Sequence, residues 1–207
     1  MADTLLETRS GRIAVLTLNR PDSLNSLDAA LMKLLAEAVK RAAEDDSVGC
    51  VVLTGTGRGF CSGGDTRAIN KAADDRIAST VPPEATTKNR AAWLRRSAEA
   101  ARLLHEMPKP TIAMINGACA GAGLSLAGAC DLRFAATSAT FKSAFTSNGM
   151  PGDYGGSWFW TQILGMAKAR ELYLLDEKRD ASAALEFGLV GRVYPDDRLF
   201  DEVMAIA

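Results

Sequence analysis

The sequence has almost no surplus charge of either sign: 24 Lys and Arg stand against 25 Asp and Glu in 207 residues. No run of basic residues forms a stripe that could follow a phosphate backbone, which argues against nucleic acid as a partner. Cysteine is scarce and unpatterned. Cys50, Cys61, Cys119 and Cys130 show neither the CxxC spacing of a zinc site nor the density of a disulfide scaffold, so buried free thiols and no metal are expected. The only histidine, His105 in LLHEMPKP, ends a helical stretch, where a surface or end-capping role fits better than catalysis. The first residues, MADTLLETRSGR, hold acids where a secretory signal would hold a basic start and an apolar core. A cytoplasmic location follows by default.

Only one uncharged stretch approaches the length that spans a bilayer, TIAMINGACAGAGLSLAGAC from Thr111 to Cys130. Its glycines and Asn116 argue against a membrane. Ile112, Met114 and Ile115 read as a short buried strand, Asn116-Gly117 as a turn, and the residues after Ala120 as a small-residue helix packed inside a protein.

The length suits one domain, residues 1–207, with a sizeable core. Two β-type runs flank Ser10-Gly11, a plausible hairpin turn, and Pro21 closes the second. Leu31, Leu34, Leu35, Ala38, Val39 and Ala42 recur at helical spacing behind Asp28, a candidate cap. Val48 to Gly55 suits a strand buried on both faces. Thr66 to Glu84, ending in Pro82-Pro83, reads as a loop or flap, and helical spacing returns from Asn89 to Met107. A buried strand, a glycine cluster and a helix then recur, followed by CDLRFAA and ATFKS as short strands and a helical remainder. Strand alternating with helix predicts an α/β domain with crossover connections.

Two glycine clusters invite a chemical reading: FCSGGD at residues 60–65 and NGACAGAGLSLAGACD from Asn116 to Asp131. The first amides of a helix lack intrahelical partners and sit at the positive end of the aligned peptide dipoles. Two such places facing each other could hold the oxygen of a carbonyl becoming an enolate, each donor worth roughly 3 kcal/mol in the transition state. Close packing of a helix on the sheet is the alternative for either cluster alone. The order GACAGAG lacks the G-x-G-x-x-G spacing of a dinucleotide site.

Taken together, NRPDSLNSLD, VVLTGTGRGFCSGGD, PKPTIAMINGACAGAGLSLAGACD, GDYGG and ASAALEFGLVGRVYP resemble the crotonase superfamily, the enoyl-CoA hydratase/isomerase family, from about Gly11 onward. The resemblance implies a spiral of βαβ units, assembled as a homotrimer or hexamer, acting on acyl-coenzyme A thioesters. It implies no separate cofactor, since coenzyme A enters with the substrate. The oxyanion amides would come from Gly64 and from Ala122, beside Gly121. The coenzyme A path would follow the segment Ser23-Leu24-Asn25-Ser26-Leu27, then Ser62 and Gly63, while Asp65 would stabilise its own loop.

Departures from the family pattern sharpen the expectation. Hydratases of this family keep two glutamates; the aligned positions here are Ser125 and Phe145, and neither can act as a carboxylate base. Asp153, in NGMPGDYGG, falls where double-bond isomerases of the family keep their working carboxylate. Outside the family context, Gly152-Asp153 beside Gly155-Gly156 would be ordinary turn chemistry. Isomerisation through Asp153 is therefore expected, with Phe145 shaping an apolar pocket. Hydration with Asp153 or Ser125 orienting water, and silent acyl-CoA binding, are the rivals. Of Trp158, Phe159 and Trp160, at least one ring is expected in the core. Family members usually continue well past the equivalent of Ala207, so the usual C-terminal helical region is largely absent from this sequence.

Overall fold

The computed structural model describes residues 3–65, 92 and 94–207. The loop expected over Thr66–Glu84 and the start of the helical stretch at Asn89 lie outside these residues. Among the described residues, no helix is long and apolar enough to cross a membrane.

β1 (Leu5–Ser10) and β2 (Ile13–Leu18) form the expected hairpin around Gly11, whose φ of 56° suits a residue without Cβ. A short 3-10 turn over Pro21–Ser23 leads to α1 (Ala29–Glu44). Asp28 caps α1 by accepting from Leu31 N at 2.8 Å. Leu31, Leu35, Ala38, Val39 and Ala42 turn inward, whereas Leu34 of the same apolar series is exposed.

Then follow β3 (Cys50–Gly55), β4 (Gly59–Cys61), α2 (Glu99–Glu106), β5 (Thr111–Ile115), β6 (Ala118–Ala120), α3 (Ala122–Ala129), β7 (Leu132–Ala136) and β8 (Thr140–Lys142). The chain ends with α4 (Gly156–Leu175), β9 (Arg179–Asp180), α5 (Ala181–Phe187), β10 (Arg192–Tyr194) and α6 (Leu199–Ile206). α4 is broken at Gly165, where φ is 75°.

Six strands form one sheet in the order β1-β2-β3-β5-β7-β10, parallel except for the opening hairpin. Successive residues face opposite ways, so one strand feeds two cores. Val51, Leu53, Ala113 and Ile115 pack with α1, α2 and α3, while Val52, Ile112, Met114 and Phe134 pack with Leu199 and Val203 of α6. That is why β3 and β5 read as continuous apolar runs.

A second sheet, β4-β6-β8-β9, was not foreseen, because its strands are two or three residues long. β4, β6 and β8 run parallel, with Cys61 opposite Cys119 and Cys119 opposite Phe141. Parallel neighbours end at the same edge of a sheet. The residues that follow each strand, 62–65, 121–122 and 143–145, are thus delivered side by side, as is usual for ligand sites at the carboxyl ends of strands.

Candidate active site

The two glycine clusters meet. A Cβ added to Gly63 would lie 3.0 Å from Ala120 O and 3.3 Å from Ala122 N, and one added to Gly123 only 2.2 Å from Cys61 O. The end of β4 and the start of α3 therefore touch backbone to backbone, which only glycine allows. Ala122 opens α3, so its N–H has no partner within the helix. Gly64 forms an isolated parallel bridge with Leu27, in which Leu27 N donates to Gly63 O at 2.8 Å and Asp65 N donates to Leu27 O at 3.0 Å. That pattern uses the Gly63 carbonyl and the Asp65 N–H and leaves out the Gly64 N–H. Gly64 is exposed, while Gly121 and Ala122 are buried.

The segment expected to guide coenzyme A is laced to the same loop. Ser62 N donates to Leu24 O at 3.0 Å, and Ser62 Oγ donates to Ser23 O at 3.1 Å. Leu24 and Asn25 both adopt positive φ, 51° and 57°. Asn25, expected only as part of the coenzyme A segment, and Arg20, not singled out in the sequence, hold this turn. Asn25, fully buried, donates to Gly59 O at 2.7 Å and Thr56 O at 3.0 Å and accepts from Arg20 N at 2.8 Å. Arg20 reaches Asp65 Oδ2 at 3.0 Å, Asp28 Oδ2 at 3.3 Å and Ser26 O at 2.5 Å. Asp65 is paired with Arg20 across this loop.

Asp153 is not an exposed turn residue. Positive φ at Gly152, Tyr154 and Gly155 (104°, 53° and 74°) coils the chain tightly around it. Its Oδ1 is buried with no hydrogen-bond partner among the described residues. Burial pushes its carboxyl up to about 6. Ser125, fully buried in the first turns of α3, donates from Oγ to Asp153 O at 3.1 Å. That bond ties the acid to the helix whose first amide is Ala122.

Phe145 is buried and lies parallel to the Tyr173 ring, with centroids 5.8 Å apart and an interplanar angle of 2°. Asp176 holds the Phe145 loop. It accepts from Ser143 Oγ at 2.6 Å, Ala144 N at 2.5 Å and Ser147 N at 3.0 Å. Burial opposes its charge, yet these hydrogen bonds outweigh burial and hold its carboxyl down at about 2. Because the folded value is depressed, this stabilisation is present above the ordinary carboxylate range and is lost as pH falls toward 2. Asp176→Ala strands three donors and is expected to lower stability by about 3 kcal/mol at pH 7, with the difference shrinking in denaturant titrations below pH 3.

The remaining aromatic residues divide as expected: Phe159 and Trp160 are buried and Trp158 is 52% exposed. His105 is exposed in the last turn of α2, its ring 5.1 Å from those of Trp158 and Phe159. All four cysteines are buried and free, with Cys61 and Cys130 pushed up to about 12 by burial. No group of side chains that could hold a metal occurs among the described residues.

Residues 8–207 match the enoyl-CoA hydratase/isomerase family. The 1,2-epoxyphenylacetyl-CoA isomerase of Escherichia coli K12 is 36% identical, over 100% of this chain and 76% of its own length. A probable enoyl-CoA hydratase of Mycobacterium tuberculosis H37Rv is also 36% identical, over 98% of this chain and 70% of its own. Among solved structures, the enoyl-CoA hydratase of Bacillus anthracis superposes with a TM-score of 0.86 at 27% identity, covering 99% of this chain and 75% of that one. An enoyl-CoA hydratase/carnithine racemase of Magnetospirillum magneticum gives 0.86 at 32% identity, covering 100% and 73%. With its crotonase-type α/β fold, the chain belongs to the enoyl-CoA hydratase/isomerase family.

Proposed function

We propose that the protein isomerises the double bond of a 3-enoyl-CoA thioester, with Asp153 as the acid and base. The observation that supports this most is the Asp153 carboxylate: largely buried, with one oxygen free of partners among the described residues, and tied through Ser125 to the helix that begins at Ala122. In this reading the N–H groups of Gly64 and Ala122 hold the thioester oxygen. Asp153 takes a proton from C2, the negative charge moves onto that oxygen, and the same carboxyl returns the proton at C4. One base and one oxyanion site suffice, and each amide contributes roughly 3 kcal/mol to the transition state.

Backbone groups of Ser23, Leu24, Ser26, Ser62 and Gly63 guide the coenzyme A portion, and Phe145 walls the acyl portion. A homotrimer or hexamer, with no added cofactor, is part of the proposal. The E. coli relative's name supports an isomerisation; the hydratase names of other relatives support the rival. Against hydration stands Ser125, fully buried with its hydroxyl engaged by the Asp153 carbonyl.

Offering 2-enoyl and 3-enoyl thioesters separately decides between the two. The 3-enoyl compound is expected to be converted to the 2-enoyl isomer without accumulation of a 3-hydroxyacyl product. Formation of 3-hydroxyacyl-CoA with no turnover of the 3-enoyl compound would replace isomerase by hydratase. Binding without any turnover would leave a silent acyl-CoA-binding protein.

A further inference from the structure

The phenol of Tyr173 reaches from α4 to the place where Ser125 and residues 152–156 meet. A Cβ added to Gly156 would lie 2.5 Å from Tyr173 OH and 2.2 Å from Ser125 Oγ, and one added to Gly152 would lie 3.1 Å from Tyr173 Cε1. The ring cannot swing away. Phe145 lies flat against one face, Gly152 meets its edge, and Thr146 Oγ1 donates to the Tyr173 carbonyl at 2.6 Å. The hydroxyl is buried and forms no well-aligned hydrogen bond among the described residues, although Ser125 Oγ lies close enough beside it to hold the phenol's upward shift back.

Two needs are thus unmet in one small space. Among the described residues Asp153 Oδ1 is a buried acceptor without a donor, and Tyr173 OH is a buried donor whose neighbour Ser125 Oγ is itself donating to the Asp153 carbonyl. Leaving both unpaired in a region of low dielectric is unfavourable, and their requirements are complementary. Catalytic hydrogen bonds are often loose in the free enzyme and tighten when substrate binds.

We propose that Tyr173 is a positioning residue for the Asp153 base: with a thioester bound, its hydroxyl donates to Asp153 Oδ1 and leaves Oδ2 to carry the proton from C2 to C4. Burial keeps the phenol protonated, pushed up to about 12, so it retains a proton to donate. Asp153's negative charge adds to that upward shift, and Tyr173 lies against Gly152 and Gly156, close on either side of Asp153 along the chain. Among the described residues the other titratable groups on this side are Tyr154, whose hydroxyl donates to Met32 Sδ, and Cys61 at the end of β4. Burial raises both, and neither is charged at neutral pH. α3 contributes the uncharged Ser125.

Tyr173→Phe keeps the ring stack and removes only the donor. Because this proposal rests on Asp153 being the base, the pairing is read in two ways. The first is the midpoint of the Asp153 carboxyl carbon in a pH titration of protein saturated with unreactive butanoyl-CoA. The second is the acid limb of kcat for a 3-enoyl thioester. A donor to the ionised form favours that form, so losing it is expected to raise both by about one pH unit, with kcat down about tenfold and KM changed less than about twofold. An Asp153 midpoint that is the same in wild type and Tyr173→Phe overturns the proposal, whatever the kinetics. If Asp153→Asn turns over normally, the base assignment fails instead, and the carbon titration still decides whether the two side chains pair.

Discussion

Asp153→Asn is expected to lower turnover of a 3-enoyl thioester by about a thousandfold, the range typical of a positioned general base, while making the protein more stable above pH 6. The two effects share one cause. Burial raises the carboxyl to about 6 from its ordinary 3.8, so the folded state favours the protonated form. Below the ordinary value both states are protonated and the fold bears no penalty. Between there and pH 6 the penalty grows, and above pH 6 it is complete. The asparagine variant should therefore gain on the order of 2 kcal/mol in denaturant titrations at pH 8, allowing for partial exposure, and close to nothing at pH 3.5. In the wild type, kcat/KM should rise with pH through about 6, since only the ionised carboxylate can accept the proton. Normal turnover by Asp153→Asn would remove the acid from the mechanism. Equal stability of the two proteins at pH 8 would show that the carboxylate is well solvated.

Gly123→Ala is expected to damage stability and turnover together. Its Cβ would stand 2.2 Å from Cys61 O and 2.7 Å from Cys61 Cβ, and no rotamer change relieves a clash with a carbonyl in a strand. Relief requires the start of α3 to move away from the end of β4, which separates the Ala122 amide from the Gly64 loop. Overpacking of this kind costs about 3 kcal/mol or more, and loss of one oxyanion donor lowers kcat by about a hundredfold. Gly191→Ala is the control. Its added Cβ would meet nothing nearer than 3.8 Å, and it lies between α5 and β10, away from the site. Thermal melts and steady-state kinetics on the two variants separate the effects. If Gly123→Ala melts and turns over like Gly191→Ala, the loops do not abut in solution.

The large sheet was legible because β3 and β5 are buried on both faces and so appear as uninterrupted apolar runs. Asp28 and the α1 series were legible from capping and periodicity, though Leu34 shows that the series alone does not say which apolar residue turns outward. The small sheet was not legible. Its strands are too short for alternation to register, and their partners lie far along the chain, as with Cys61 and Cys119. The glycine clusters announced a close approach, and Gly63 and Gly123 make one. Arg20, Asp176 and Tyr173, and the turn-holding role of Asn25, were missed because each acts through folded neighbours. Positive φ at Leu24 and Tyr154 carries no local signal in residues of these types.

Among the described residues, only the opening hairpin pairs strands that are close along the chain; β3 meets β5 across some sixty positions, as Val51 opposite Thr111 shows, and β7 meets β10 across a similar span. Most parallel contacts can form only after long stretches of chain have been brought together, and the entropy of closing such loops must be met before any contact repays it. Folding is thus expected to be slow, with the hairpin as an early nucleus. The residues around Asp153, drawn from the middle and later parts of the chain, would come together near the end. Catalytic competence should then lag behind the recovery of secondary structure during refolding.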